Sequence, residues 1–124
     1  MIDHVSLQVR DYMRSKDFYV AALAPLGCEL LREFEARAGG FGRNGKPFFW
    51  IGEGEPAGAI HVAFAARDRD EVDAFYAAAV AAGGEDNGPP GLRTHYHPGY
   101  YGAYVLDPDG NNVEAVVHER QAAG

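Results

Sequence analysis

The chain has a single cysteine, Cys28, so no internal disulfide can form. That excludes a small disulfide-stapled scaffold and suits a reducing compartment, with Cys28 itself expected to be structural. No apolar run approaches the roughly 18 residues of a membrane span. The opening Met-Ile-Asp-His carries no leader pattern, so the expected location is the cytoplasm. Clusters of lysine or arginine are missing too. With a formal net charge of −7 and a pI near 5.1, nucleic acid and anionic membranes are poor partners. The same charge would favour a cationic ligand.

What is present is enough for a core. The 124 residues are 47% apolar, which argues against disorder and for one domain over 1–124. The chain also repeats itself. Shifted by 57 residues, His4-Val5 falls on His61-Val62, Arg10-Asp11 on Arg67-Asp68, and Phe18-Tyr19 on Phe75-Tyr76. In all, ten of 24 ungapped positions are identical between residues 4–27 and 61–84. The alanines among them are cheap in an Ala-rich chain, but the three dipeptides are not. Repeat one covers about 1–57 and repeat two about 58–120.

Each repeat opens with a strand of period two. Val5, Leu7 and Val9 alternate with His4, Ser6 and Gln8 over 2–10; Ile60, Val62 and Phe64 alternate with His61, Ala63 and Ala65 over 59–66. A helix follows each. The first runs from about Tyr12 to Ala24, with Phe18, Ala22 and Leu23 facing in and Pro25 and Gly27 ending it. The second starts at a capping box, Asp68 with Glu71, and carries a stripe of Val72, Phe75, Tyr76, Ala79 and Val80. Strands are then expected at 28–36, 40–44 and 47–52, broken at Gly39-Gly40 and Asn44-Gly45, and again at 84–87, 100–107 and 111–118. Residues 53–58 read as the linker, 87–99 as a long loop, and Gln121–Gly124 as a frayed tail. The fold class is therefore α+β: two β-α-β-β-β repeats forming a half-open, eight-stranded cup.

The apolar rows pack under the helices, so the alternate rows line the cup. His4, His61 and Glu114 all fall on those rows. Two neutral imidazoles and one carboxylate can hold a divalent transition metal with coordination sites left open; Fe(II), Mn(II), Ni(II) and Zn(II) all suit the set. The plainer alternative is three ordinary polar residues on a solvated sheet face. Between the last two strands, Asp107-Pro-Asp-Gly110 is a reverse turn that leaves Glu114 mid-strand, where a carboxylate needs water or a partner.

Thr94-His-Tyr-His-Pro-Gly-Tyr-Tyr101 is dense in proton-handling groups, so His95 and His97 are candidates for acid/base roles. Tyr100, Gly102 and Tyr104 share a row expected to face the cup. Tyr100, Ser6, Phe48 and Trp50 are candidate substrate contacts. Phe48 and Trp50 serve equally well as core, and Ser6 and Gln8 equally well as solvated polar groups.

The duplicated β-α-β-β-β unit, the His-Val near each start, and Asp107-Pro-Asp-Gly-Asn-Asn-Val-Glu114 together resemble the vicinal oxygen chelate superfamily over roughly residues 2–118. That group contains glyoxalase I, extradiol dioxygenases, fosfomycin-resistance transferases and bleomycin-binding proteins. The resemblance implies that His4, His61 and Glu114 are metal ligands and that the substrate is a small molecule chelated through adjacent oxygens. Glyoxalase I adds a glutamate ligand on the last strand of the first unit, whereas Pro47-Phe-Phe-Trp-Ile-Gly52 offers none. Fosfomycin enzymes carry a basic phosphonate loop, where this chain has only Arg93. Extradiol enzymes end in a signature similar to the segment from His97 to Glu114, in which Tyr104 and His95 or His97 would handle protons; Ala103 departs from it. The alternative is a non-catalytic, drug-sequestering protein of the bleomycin-resistance type, which is acidic as this chain is. A homodimer is expected, since an open cup with exposed sheet edges is normally covered.

Overall fold

A computed structural model describes residues 1–120; the tail expected at Gln121–Gly124 lies outside them. The elements run β1 (Val5–Val9), α1 (Tyr12–Leu23), β2 (Glu29–Phe34), β3 (Ala38–Arg43), β4 (Lys46–Glu53), β5 (His61–Ala65), α2 (Arg69–Ala81), β6 (Glu85–Leu92), β7 (Tyr100–Leu106) and β8 (Asn112–His118). Two four-stranded sheets result, ordered β1-β4-β3-β2 and β5-β8-β7-β6. In each, the first strand of the repeat pairs parallel with the last, and the others are antiparallel. The α+β class and the paired units are as expected, with the sheets open and not joined by strand pairing.

The repeated Arg-Asp dipeptides have a common physical use. Asp11 accepts the backbone N–H of Arg14 at 3.2 Å, and Asp68 that of Glu71 at 2.8 Å, so each aspartate caps its helix. Glu71 returns a carboxylate to the backbone N–H of Arg67 at 2.9 Å, which completes the second start. Gly27, at φ 77°, lets the chain leave the short 3-10 turn Ala24–Leu26.

One core joins the repeats. Phe49 of β4 meets Phe64 of β5 edge to face at 5.1 Å, and Tyr19 of α1 meets Phe49 at 4.9 Å. Tyr19 also donates its hydroxyl to Asp107, in the turn before β8. Asp107 is buried and accepts in addition from the backbone N–H groups of Asp109 and Asn111 and from the Asn111 side chain, at 2.8 to 2.9 Å. The turn is thus built around a fully hydrogen-bonded carboxylate, with Gly110 at φ 86° closing it. Burial, followed by the charge of Asp107, pushes the Tyr19 hydroxyl well above its usual range, so it remains a donor.

Several boundaries differ from expectation, each for a local reason. β1 starts at Val5, so His4 lies just outside the ladder. The expected break at Gly39-Gly40 falls inside β3. The chain turns instead at Glu35 and Ala36, both at φ 52°. The glycines mark close approach: a Cβ at Gly39 would sit 2.5 Å from the Tyr12 hydroxyl, and one at Gly40 2.7 Å from the Trp50 ring. The stretch 87–99 is not all loop, because β6 continues through Gly-Pro-Pro-Gly to Leu92. It is an edge strand with irregular register, where proline costs no ladder bond. Val80 is exposed, so the α2 stripe is narrower than its sequence pattern.

Removing the Asp107 carboxylate should leave a buried turn without its acceptor. Asp107→Ala is expected to lower stability by about 3 kcal/mol and Tyr19→Phe by about 1.5 kcal/mol. Urea unfolding midpoints of the two variants check this; equal, near-zero shifts would show that the turn does not depend on the carboxylate.

Candidate functional site

The β5–β8 register places Ala63 beside Glu114 and His61 beside Asn112. From the adjacent strand the His61 ring reaches along β8, and its Nε2 lies 2.7 Å from Glu114 Oε1. Glu114 is fully buried, whereas 54% of the His61 side chain is exposed. The second Glu114 oxygen accepts the Tyr100 hydroxyl, and the Tyr104 hydroxyl lies 3.4 Å from that of Tyr100. A buried carboxylate is costly without donors; here an imidazole and a phenol supply them. Burial, and then the hydrogen bond to Glu114, push the Tyr100 hydroxyl far above its usual range. Tyr104 is also raised, chiefly by burial. Both phenols are therefore protonated donors at neutral pH.

Gly102 makes this packing possible. It sits on β7 between Tyr100 and Tyr104, and a Cβ there would come within 3.3 Å of Glu114 Oε2 and 3.2 Å of the Tyr100 ring. A mid-strand glycine is the signal that could have identified it from sequence.

The other candidates are placed apart. The His4 Nδ1 is 2.8 Å from Asp3, which also receives Lys46 Nζ at 3.1 Å. The hydrogen bond with His4, and next that with Lys46, hold the Asp3 carboxyl below its usual range. Among the described residues, no three of His, Cys, Asp and Glu are grouped closely enough to hold a metal ion. His97 pairs with His118 at 2.8 Å and packs against the Tyr100 ring at 5.5 Å, while His95 packs on Tyr96. Neither loop histidine has a hydrogen bond to Glu114. His118, on the same row as Glu114, is occupied by His97.

Register also relates the two sheets position by position. Ser6 pairs with Trp50 as Ala63 pairs with Glu114, and Gly40 pairs with Trp50 as Tyr104 pairs with Glu114. Trp50 is thus the repeat-one counterpart of Glu114, and Gly40 that of Tyr104. The indole lies over the Gly40 backbone and is near-parallel to Phe34, with ring centroids 6.0 Å apart. Ser6, Gln8, Trp50 and Glu53 line a recess of about 310 Å³ there. Phe48, Val5, Val62 and Phe64 line a second recess of about 300 Å³ between the sheets. Phe48 and Trp50, which lie on one row of β4, therefore open into different spaces. Neither recess is lined by His61 or Glu114.

Among curated proteins there is no significant match. Among solved structures, the chain is similar to a glyoxalase/bleomycin resistance protein from Albidiferax ferrireducens T118. The two are 35% identical with a TM-score of 0.83, over 94% of this chain and 98% of that one. Two others share the fold. A glyoxalase/bleomycin resistance protein/dioxygenase family enzyme from Burkholderia phytofirmans PsJN is 22% identical (TM-score 0.71; 94% and 98% covered). Lactoylglutathione lyase from Agrobacterium tumefaciens is 20% identical (TM-score 0.69; 94% and 92% covered). The family model for the Glyoxalase/Bleomycin resistance protein/Dioxygenase superfamily matches residues 1–115, and with the paired β-α-β-β-β units described above, the chain belongs to that superfamily.

Proposed function

We propose that the protein is a divalent-metal-dependent enzyme of the glyoxalase/dioxygenase type. It would take a small substrate through adjacent oxygens at a centre formed by His61, Glu114 and His4. One observation carries this assignment: His61 Nε2 and the buried Glu114 carboxylate converge at 2.7 Å with a phenol on the far oxygen. An imidazole nitrogen and a carboxylate oxygen, aimed at one point with solvent on the imidazole side, suit Fe, Mn, Ni or Zn. When bound, the metal supplies Lewis acidity towards the substrate oxygens.

The third ligand, His4, is assigned to a second copy of the chain in a homodimer. Within one chain it stays with Asp3, and its neighbour Ile2 is 79% exposed beside the recess lined by Val5, Phe48 and Val62. An exposed apolar patch of this kind is suited to cover by another chain. In such a dimer, His4 of the partner subunit would approach His61 and Glu114. Tyr100 orients Glu114 through its hydroxyl, as a ligand carboxylate needs a fixed partner. Tyr104, protonated and next in line after Tyr100, is the proton donor assigned to the reaction, with His97, which packs on the Tyr100 ring, the loop imidazole in contact with that chain of phenols.

Sequestration of a small molecule without turnover is favoured by one specific feature, the Trp50–Phe34 pair over Gly40 at the repeat-one counterpart of Glu114. Metal content separates the two functions. Protein purified without chelators or a histidine tag is expected to carry about one metal per chain. Glu114→Ala should lose it, and Tyr100→Phe should retain it with weakened affinity, by about tenfold. Elemental mass spectrometry reads all three; a wild type that stays metal-free after reconstitution leaves the sequestering function in place of the enzyme.

Shared ligation has its own signature. His4→Ala and His61→Ala should each fail to bind metal alone. Unfolded together and refolded as a mixture, they should recover about a quarter of the wild-type sites, because each mixed dimer has one intact centre. A mixture as empty as its parents would place all the ligands within one chain.

A further inference from the structure

Arg93 sits in a socket whose construction the proposed chemistry does not use. Its two terminal nitrogens donate to backbone carbonyls, Nη1 to Gly91 at 2.9 Å and Nη2 to Pro89 at 2.7 Å. The guanidinium carbon lies 5.2 Å from the centroid of the Tyr104 ring, over its face. Two glycines of β6 make the space. A Cβ on Gly88 would fall 3.1 Å from Nη2, and one on Gly91 3.1 Å from Nη1. Gly88 also holds φ 150°, a backbone that side chains rarely adopt. The Gly-Pro-Pro-Gly bulge of β6 is therefore shaped around this guanidinium.

Among the described residues, the acceptors it meets are both neutral backbone carbonyls. Among the described residues, no carboxylate lies within salt-bridge distance of Arg93, although the chain carries a net charge of −7. Arg67 and Arg69, by contrast, are each paired with a glutamate at 2.6 to 2.7 Å. A guanidinium has five N–H donors in a rigid fork, so two carbonyls fix its orientation and leave donors unspent. Its position matters as much. The Tyr104 ring that it covers is 6.2 Å from the His61 ring, and the Tyr104 hydroxyl adjoins the Tyr100–Glu114 pair. The Glu114 charge is already engaged by His61 and Tyr100, which lessens its opposition to an incoming anion.

We propose that Arg93 is a specificity-determining residue, held ready in this socket to bind a carboxylate group of the substrate beside the His61–Glu114 centre. This rests on the proposed function in taking that centre as the substrate site. The substrate class narrows accordingly to small molecules bearing a carboxylate as well as the chelating oxygens. A planar anion matches the planar fork in two parallel hydrogen bonds. A neutral group of the same shape would leave the fork unpaired.

The test is residue-specific and needs no assay of turnover. The Arg93 Nε–Hε resonance is assigned by its disappearance in Arg93→Lys. Wild-type protein, metal-free and zinc-loaded, is then titrated with acetate and with acetamide at constant ionic strength. The expected result is a saturable Arg93 shift with acetate, at an affinity about tenfold or more above that for acetamide. The exposed Arg32 should drift without saturating. An Arg93 response no larger than that of Arg32, or equal for the two probes, overturns the proposal and leaves Arg93 as a staple of the bulge. Zinc uptake is read separately on the same samples. Saturation without zinc uptake keeps the anion site and removes the metal, whereas zinc uptake without saturation does the reverse.

Discussion

Parallel pairing between the first and last strand of each repeat is the constraint on which the rest depends. A parallel pair cannot be made by a hairpin, so the chain must cross over between its members, through residues 10–45 in repeat one and 66–111 in repeat two. In repeat two that crossover carries α2, β6 and β7 and returns β8 against β5. The result is that His61 and Glu114, 53 positions apart, meet at 2.7 Å. A slip of one residue in the register would send Glu114 to the apolar face among Val113 and Ala115 and leave His61 with nothing. The site is therefore a property of topology first and of side chains second.

The two repeats keep the same scaffold but have taken different chemistry. Their helix starts are the same device, an aspartate cap after an arginine. Their equivalent mid-sheet positions are not: Glu114 and Tyr104 in one, Trp50 and Gly40 in the other. Polar groups that satisfy one another occupy the second sheet, while the first offers a flat indole over a bare backbone. Duplication has given a hydrogen-bonded carboxylate at this position in one half and an indole in the other.

Much of the scaffold was readable from residue order because its causes are local. Strand alternation, the capping aspartates, Asn44-Gly45 and Gly110 each act within a few positions. The family signature in Asp107–Glu114 was legible for the same reason. What was not legible depends on contacts between distant segments. Gly39-Gly40 looked like a break because a pair of glycines usually is one. Only the approach of Tyr12 and Trp50 explains them within β3. The Gly-Pro-Pro-Gly of β6 looked like loop because its prolines rule out a central strand, but not an edge strand. Nothing in the order of residues announces that Arg93 fills the space those glycines leave. His4 and His61 occupy equivalent positions in the repeats, yet only His61 has a glutamate across its strand, since the counterpart of Glu114 in repeat one is Trp50.

The clasp between Tyr19 and Asp107 bears on how the molecule comes apart. It ties the helix of the first repeat to the last turn of the second, and the Phe49–Phe64 contact ties their sheets. The buried residues of both repeats belong to one cluster, so loosening one half takes aromatic neighbours from the other. A cut in the linker would leave the two halves joined by these contacts alone, and parting them would bare Phe49 and Phe64 to water. The older half-molecule survives as a pattern in the sequence, while its buried face is now shared with the other copy.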